Sequence, residues 1–156
     1  MHRITVKKGE ILQKPGEFNS KIYVVKSGLL RSYTIDKKGK EHIFMFAPEG
    51  WVIADNIPPE LQTSLYIDAL EDSNIIVRNK DINSEGENVG PLVKRLWVLQ
   101  KRVLMLMSSS AIERYQDFIE TYPEVTKRIP QRMIASYLGI TPEALSKVKT
   151  DRMRKS

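Results

Sequence analysis

The chain has 156 residues, 41% hydrophobic and 28% charged, the balance of a soluble globular protein with room for one ordinary domain or two small ones. It has no cysteine, which excludes a disulfide framework, thiolate metal sites and cysteine-ligated iron–sulfur clusters. No apolar run approaches the roughly 20 residues that span a bilayer. The opening Met1-His-Arg-Ile-Thr-Val-Lys-Lys8 lacks the apolar core of a secretory signal, so a cytoplasmic protein away from membranes is expected. The net charge of +6 is unevenly spread. Residues 123–156 carry eight Lys or Arg against three acids, whereas residues 1–122 carry seventeen against sixteen. A basic excess confined to one end is the electrostatic footprint of a polyanion binder.

From Ile4 to Val77 the chain reads as short strands separated by turns. Ile11-Leu12, Ile22-Tyr-Val-Val25, Leu29-Leu-Arg-Ser-Tyr33, His42-Ile-Phe-Met-Phe46, Leu65-Tyr-Ile-Asp-Ala-Leu70 and Asn74-Ile-Ile-Val77 are rich in β-branched and aromatic residues. Lys14-Pro-Gly-Glu17, Ser27-Gly28, Asp36-Lys-Lys-Gly39 and Pro48-Glu-Gly50 punctuate them, as in an antiparallel sandwich or barrel. Asp36-Lys-Lys-Gly39 predicts a hairpin, and residues 55–62, with Pro58-Pro59, an irregular loop. Asp68, Glu71 and Asp72 cluster, but as solvated acids at a strand end. A polar connector, residues 79–88, closes this part.

The period changes at Pro91. Leu92, Leu96, Leu99, Val103 and Leu106 are spaced by four, three, four and three, a heptad-like seam on one long helix. Trp97, Val98, Leu104, Met105 and Met107 widen its expected buried surface. Such a helix either packs only on its own sheet or pairs with a second copy, and the seam favours pairing. Ser108-Ser-Ser110 interrupts it, as a hinge or a plain inter-domain turn. Ser110-Ala-Ile-Glu113 has the capping-box pattern, and Ile112, Tyr115 and Ile119 form the next stripe, ending at Tyr122-Pro123.

The last thirty residues predict two helices around a turn at Gly139. Ile134, Ala135 and Leu138 share one face, Ile140 plugs the corner, and Leu145 and Val148 continue the buried stripe. Thr141 is placed to cap the second helix, Pro142 fits its first turn, and Glu143 lies on the favourable side of its dipole. An ordinary helical hairpin fits less of this than a DNA-binding helix-turn-helix does. Arg152, Arg154 and Lys155 belong either to that reader or to a solvated, frayed tail.

Taken in order, these stretches resemble the Crp/Fnr family of bacterial transcription regulators, most of all its branch common in Bacteroidetes. The resemblance is carried by Lys8-Gly-Glu-Ile-Leu-Gln-Lys-Pro-Gly16, Ile22-Tyr-Val-Val-Lys-Ser-Gly-Leu-Leu-Arg31, Asp68-Ala-Leu-Glu-Asp-Ser73, Glu113-Arg-Tyr115 and Ile134-Ala-Ser-Tyr-Leu-Gly-Ile-Thr-Pro-Glu143. It implies an α+β chain: an antiparallel β-roll of the cyclic-nucleotide-binding type (residues 1–90), a dimerisation helix and hinge (91–109), and a helix-turn-helix DNA-binding domain (110–156). It further implies a homodimer on a palindromic operator in double-stranded DNA, with a small-molecule effector and RNA polymerase as further partners. Relative to the family, the short helical lead before the first strand is expected to be either cut off or absent, and the β-hairpin wing after the last helix is expected to be missing.

By family position the DNA-facing residues are Thr141, Pro142, Glu143, Ser146, Lys147 and Thr150. Glu143, Ser146 and Lys147 match a Glu-x-x-Ser-Arg pattern with Lys in place of Arg. Chemically, a carboxylate accepts from cytosine N4 and a lysine donates to guanine O6 or N7. Gln131, Arg132 and Lys149 would hold phosphates. The effector pocket is expected around Glu49, Gly50, Trp51, Thr63 and Ser64, closed by Gln100. Thr63 and Ser64 offer hydroxyls to an anion but no Arg charge, so cyclic AMP is not the expected effector. With only His2 and His42 available, haem is not expected, and neither is any other cofactor or metal. No catalytic constellation stands out, so the alternative to a regulator is a ligand-binding or interaction module with a degenerate DNA reader, not an enzyme.

Overall fold

Alternating apolar residues need a partner sheet, and in this chain the strands supply it to one another. The computed structural model describes residues 1–80 and 89–156, and the chain divides into two compact units, Met1–Gly86 and Glu87–Ser156. The first contains β1 (His2–Val6), β2 (Ile11–Gln13), β3 (Lys21–Ser27), β4 (Leu30–Ile35), β5 (Glu41–Ala47), β6 (Val52–Ala54), β7 (Tyr66–Ala69) and β8 (Ser73–Asn79). They form two antiparallel four-stranded sheets, ordered β1-β8-β3-β6 and β2-β7-β4-β5. The core between the sheets includes Val6, Tyr23, Val25, Leu30, Ile53, Ile67, Ile75 and Val77. Strands β1 and β6 are absent from the sequence reading. β1 has only Ile4 and Val6 as a period-two signal among polar neighbours, and β6 is three residues long. The Asp36–Gly39 hairpin forms as expected, with the Asp36 carboxylate accepting from the N–H groups of Lys38 and Lys40.

β4 breaks the inside–outside alternation, because Leu30, Arg31, Ser32 and Tyr33 are all buried. Arg31 is 6% exposed and Asp68, its neighbour on β7, 7%. The guanidinium donates to both oxygens of Asp68, at 2.9 and 3.0 Å, and to Glu41 at 2.6 Å. It lies 4.1 Å from the Tyr33 ring centroid, and Tyr33 stacks on Tyr66. Burial works against the Arg31 charge, but the hydrogen bonds and charges of Asp68 and Glu41 outweigh it and hold the group protonated. Asp68 is therefore not the solvated acid that its cluster suggests. Asp72 is exposed, and accepts from Lys7 Nζ and Lys8 N.

The second unit contains α1 (Val89–Ser108), α2 (Ala111–Thr121), a 3-10 turn (Val125–Lys127), α3 (Gln131–Leu138) and α4 (Pro142–Lys155). The capping box forms as written in the sequence: Glu113 N donates to Ser110 Oγ, and Ser110 N donates to the Glu113 carboxylate. The buried stripe of α2 is centred on Tyr115 and Phe118, with Ile112 and Ile119 only half-buried at its margin. The reason is aromatic packing: Phe118, Tyr122 and Tyr137 meet with centroids 5.2–5.6 Å apart. On α1, Leu96 and Val103 are exposed at 60% and 53%, Leu99 and Leu106 are half-buried, and the Leu92 side chain lies outside the described residues. Of the five residues expected to widen the buried surface, only Met105 is buried within one copy; Trp97, Val98, Leu104 and Met107 are open.

Arg31→Ala strands the buried Asp68 carboxylate and should cost about 3–5 kcal/mol, read from the urea midpoint of the full chain. At the α2 cap, hydrogen bonds from the Ser110 N–H and hydroxyl hold Glu113 below the usual carboxylate range. That stabilisation is therefore present above the ordinary glutamate pKa and lost as pH falls through the lowered one. Glu113→Gln should flatten this part of the acid limb in a pH series of thermal melts.

Candidate nucleic-acid interface

The helix-turn-helix is built from backbone accounting. α3 ends in a Schellman turn: Ile140 N donates to Ala135 O at 3.0 Å and Gly139 N to Ser136 O at 3.2 Å. Gly139 sits at φ 66°, where a side chain is strained. Thr141 Oγ1 then accepts from Ala144 N at 3.1 Å and starts α4, with Pro142 in the first turn. Ile134, Leu138, Leu145 and Val148 are buried, as expected, while Ile140 is half-buried. α4 continues to Lys155, so Arg152, Arg154 and Lys155 stand on the helix and not in a frayed tail.

Glu143, Ser146, Lys147 and Thr150 are exposed along one side of α4. Four expected contacts, Thr141, Thr150, Lys149 and Gln131, have other work within the chain. The Thr141 oxygen is the helix cap, and the Thr150 hydroxyl donates to Ser146 O at 3.0 Å. Lys149 Nζ donates to Gln131 Oε1 at 3.1 Å, which ties α4 to the start of α3. Arg132 is exposed.

Inside the roll, the expected pocket residues mostly serve the fold. Glu49 Oε1 accepts from Gly28 N at 2.8 Å, and Gly50 N donates to Val25 O at 2.9 Å. Trp51 packs against the core. Thr63 is not available to an anion: it is buried, its hydroxyl donates to Lys14 O at 2.6 Å, and it accepts from Glu17 N at 3.0 Å. The Ser64 hydroxyl and N–H are engaged by Asp55, and Gln100 is exposed on α1 in the other unit.

Asp55 is the residue that sequence reading missed, hidden in the irregular loop. It is 2% exposed, and its carboxylate accepts from Ser64 N at 2.7 Å and Leu65 N at 2.9 Å. The Ser64 hydroxyl and Gln13 Nε2 approach at 3.3 and 3.5 Å. The internal carboxylate thus gathers donors from Gln13, Ser64 and Leu65. The Lys80 ammonium fastens the same loop through Ser20 Oγ, Ile57 O and the Asp55 carbonyl. Two buried polar atoms among the described residues have no hydrogen-bond partner, Gln13 Oε1 and Ser32 Oγ. Both residues pair with Ile67, on opposite sides of it, so they share the core-facing side of one sheet.

The chain combines a two-sheet β-roll with a helical unit that ends in a helix-turn-helix. Residues 3–82 match the cyclic nucleotide-binding domain family. Among known proteins, the anaerobic regulatory protein of Haemophilus influenzae is 25% identical over 92% of this chain and 63% of its own length. The fumarate and nitrate reduction regulatory protein of Yersinia pestis is 28% identical over 92% of this chain and 65% of its own. The chain thus spans less than two thirds of the length of these relatives. Among solved structures, FixK2 from Bradyrhizobium japonicum superposes with a TM-score of 0.77 at 20% identity, over 99% of this chain and 85% of that one. A CRP/FNR-family transcriptional regulator from Thermus thermophilus gives 0.78 at 17% identity, over 99% and 87%. The chain belongs to the cyclic nucleotide-binding domain family, in its Crp/Fnr branch.

Asp55→Ala leaves two backbone N–H groups without their acceptor and should cost about 1–3 kcal/mol for each one that water does not reach. Urea unfolding followed by Trp51 fluorescence in a Trp97→Phe background measures it, and an unchanged midpoint would show that Asp55 does not hold the roll.

Proposed function

We propose that the chain is a sequence-specific, DNA-binding transcription regulator that works as a homodimer on a palindromic site. The observation that carries the reading is the exposed side of α4, on which Glu143, Ser146 and Lys147 stand clear of internal hydrogen bonds that would consume their tips. Glu143 and Lys147 are one helical turn apart and carry complementary readout chemistry, an acceptor for cytosine N4 and a donor for guanine. Arg132, Arg152, Arg154 and Lys155 add positive charge for phosphates, while Lys149 and Gln131 position one helix against the other. The open apolar residues of α1, Leu96 and Val103 with Trp97 and Leu104 beside them, support self-pairing, which would deliver two readers about one helical turn of DNA apart. A cytoplasmic location goes with this reading. Separately, no helix among the described residues is long and apolar enough to cross a membrane.

Any effector of the roll is a small molecule other than cyclic AMP. Support comes from the Asp55 carboxylate, already seated on the Ser64 and Leu65 N–H groups, and from the unmet polarity at Gln13 and Ser32, which suits an uncharged ligand or a water.

Selection from a random duplex pool should yield paired half-sites, with log K falling steeply against log salt concentration. Lys147→Ala should cost about 1–3 kcal/mol on the selected site and relax preference at one base pair. Equal losses on selected and random duplexes would place Lys147 on phosphate instead. Cyclic AMP titrated calorimetrically into the full chain should give no binding heat.

A further inference from the structure

The Schellman turn leaves a remainder. Of the last four carbonyls of α3, those of Ala135 and Ser136 are taken by the N–H groups of Ile140 and Gly139, while Tyr137 O and Leu138 O have no backbone donor in that turn. Both are taken by arginines from outside the helix-turn-helix. Arg102, on α1, donates from Nη2 to Tyr137 O at 3.0 Å, and its guanidinium carbon lies 3.7 Å from the Tyr137 ring centroid. Arg114, on α2, donates from Nη1 to Leu138 O at 3.1 Å.

Arg114 makes two further bonds, and they run the other way. Nη2 donates to Leu106 O at 2.6 Å, and Nε donates to Ser109 O at 3.1 Å. One guanidinium therefore collects the carboxyl ends of two helices, α1 and α3, whose partial negative charges would otherwise face each other. A planar fork of five N–H donors is suited to this, since it holds three carbonyls at fixed angles to one another. The corner glycine lies against the same group. A Cβ on Gly139 would stand 3.7 Å from Leu106 Cδ2 and 3.8 Å from Arg114 Nη1. Leu106 is thus not only a seam residue; its tip reaches the corner of its own helix-turn-helix.

We propose that Arg102 and Arg114 are positioning residues for DNA reading: they lock α3, and with it the helix-turn-helix, to the end of the α1 spine. The inference rests on the regulator reading above and adds to it how the distance between two readers is set. Ser109 and Ser110 interrupt the helix between α1 and α2, so the continuous backbone does not hold that distance. The arginine bridges do, because Arg102 joins α1 to Tyr137 O directly, and Arg114 holds Leu106 O, Leu138 O and Ser109 O together across the break. Two clamped heads on a paired spine prefer one half-site spacing; two unclamped heads accept several.

The test uses paired half-sites that the full wild-type chain selects from a random pool, then the same duplexes with one or two base pairs inserted at the centre, and a single half-site as control. Wild type should lose at least about tenfold in affinity on insertion, since the half-sites leave their helical register. Arg114→Ala should bind a single half-site and dimerise like wild type, yet lose less than about threefold on insertion, the spacing penalty having gone. If Arg114→Ala loses half-site binding through misfolding, Arg114→Lys and Arg102→Ala take its place. Lysine keeps the charge but cannot span three carbonyls, so the same flattening is expected. A spacing penalty that persists in all folded variants overturns the clamp and leaves the regulator reading intact. A wild-type chain that selects no paired sites overturns both.

Discussion

Carbonyl oxygens at the end of a helix have no partner of their own, and the second unit is organised around where they find one. α3 is eight residues long, too short to be stable alone, and its last turn is closed from three directions: by the glycine corner, by Arg102 and by Arg114. The aromatic cluster of Phe118, Tyr122 and Tyr137 fills the space behind it. The Lys149–Gln131 bond ties α4 to the start of α3. The side carrying Glu143 and Lys147 is what remains turned outward.

The roll meets the same requirement with charge. Arg31 is buried among acids and tyrosines, and Asp55 is buried among N–H groups. Neither group would be tolerated in an apolar interior without partners, and each draws on both a nearby segment and a distant one: Glu41 and Asp68 for Arg31, residues 64–65 and Gln13 for Asp55. In the proposed reading, the Asp55 carboxylate on the Ser64 and Leu65 N–H groups is what argues against a phosphate-bearing effector.

α1 shows the opposite condition. Its described apolar side chains, apart from Met105, are largely uncovered, and a helix with Leu96, Trp97, Val98, Val103, Leu104 and Met107 all open loses free energy to water that a partner surface would recover. The proposed dimer is the arrangement that covers this surface while presenting two α4 helices to one duplex.

Much of this was legible in the residues themselves. Period-two runs between glycine turns specify strands, the Ser110–Glu113 box starts α2, and Gly139 followed by Thr141-Pro142 writes the corner of the helix-turn-helix; each is a local rule of backbone sterics and hydrogen bonding, so nearby residues suffice. The basic excess after residue 123 is equally a property of the chain alone. Other features were not readable. That Asp68 pairs with Arg31, that Thr63 and Ser64 are spent on Lys14, Glu17 and Asp55, and that Arg114 joins Leu106 and Ser109 to Leu138 were decided only when distant segments met. Polar side chains carry no periodic signal for their partners. A carboxylate or guanidinium satisfies its hydrogen bonds with whatever the fold brings within about 3 Å, and that is a fact of tertiary geometry.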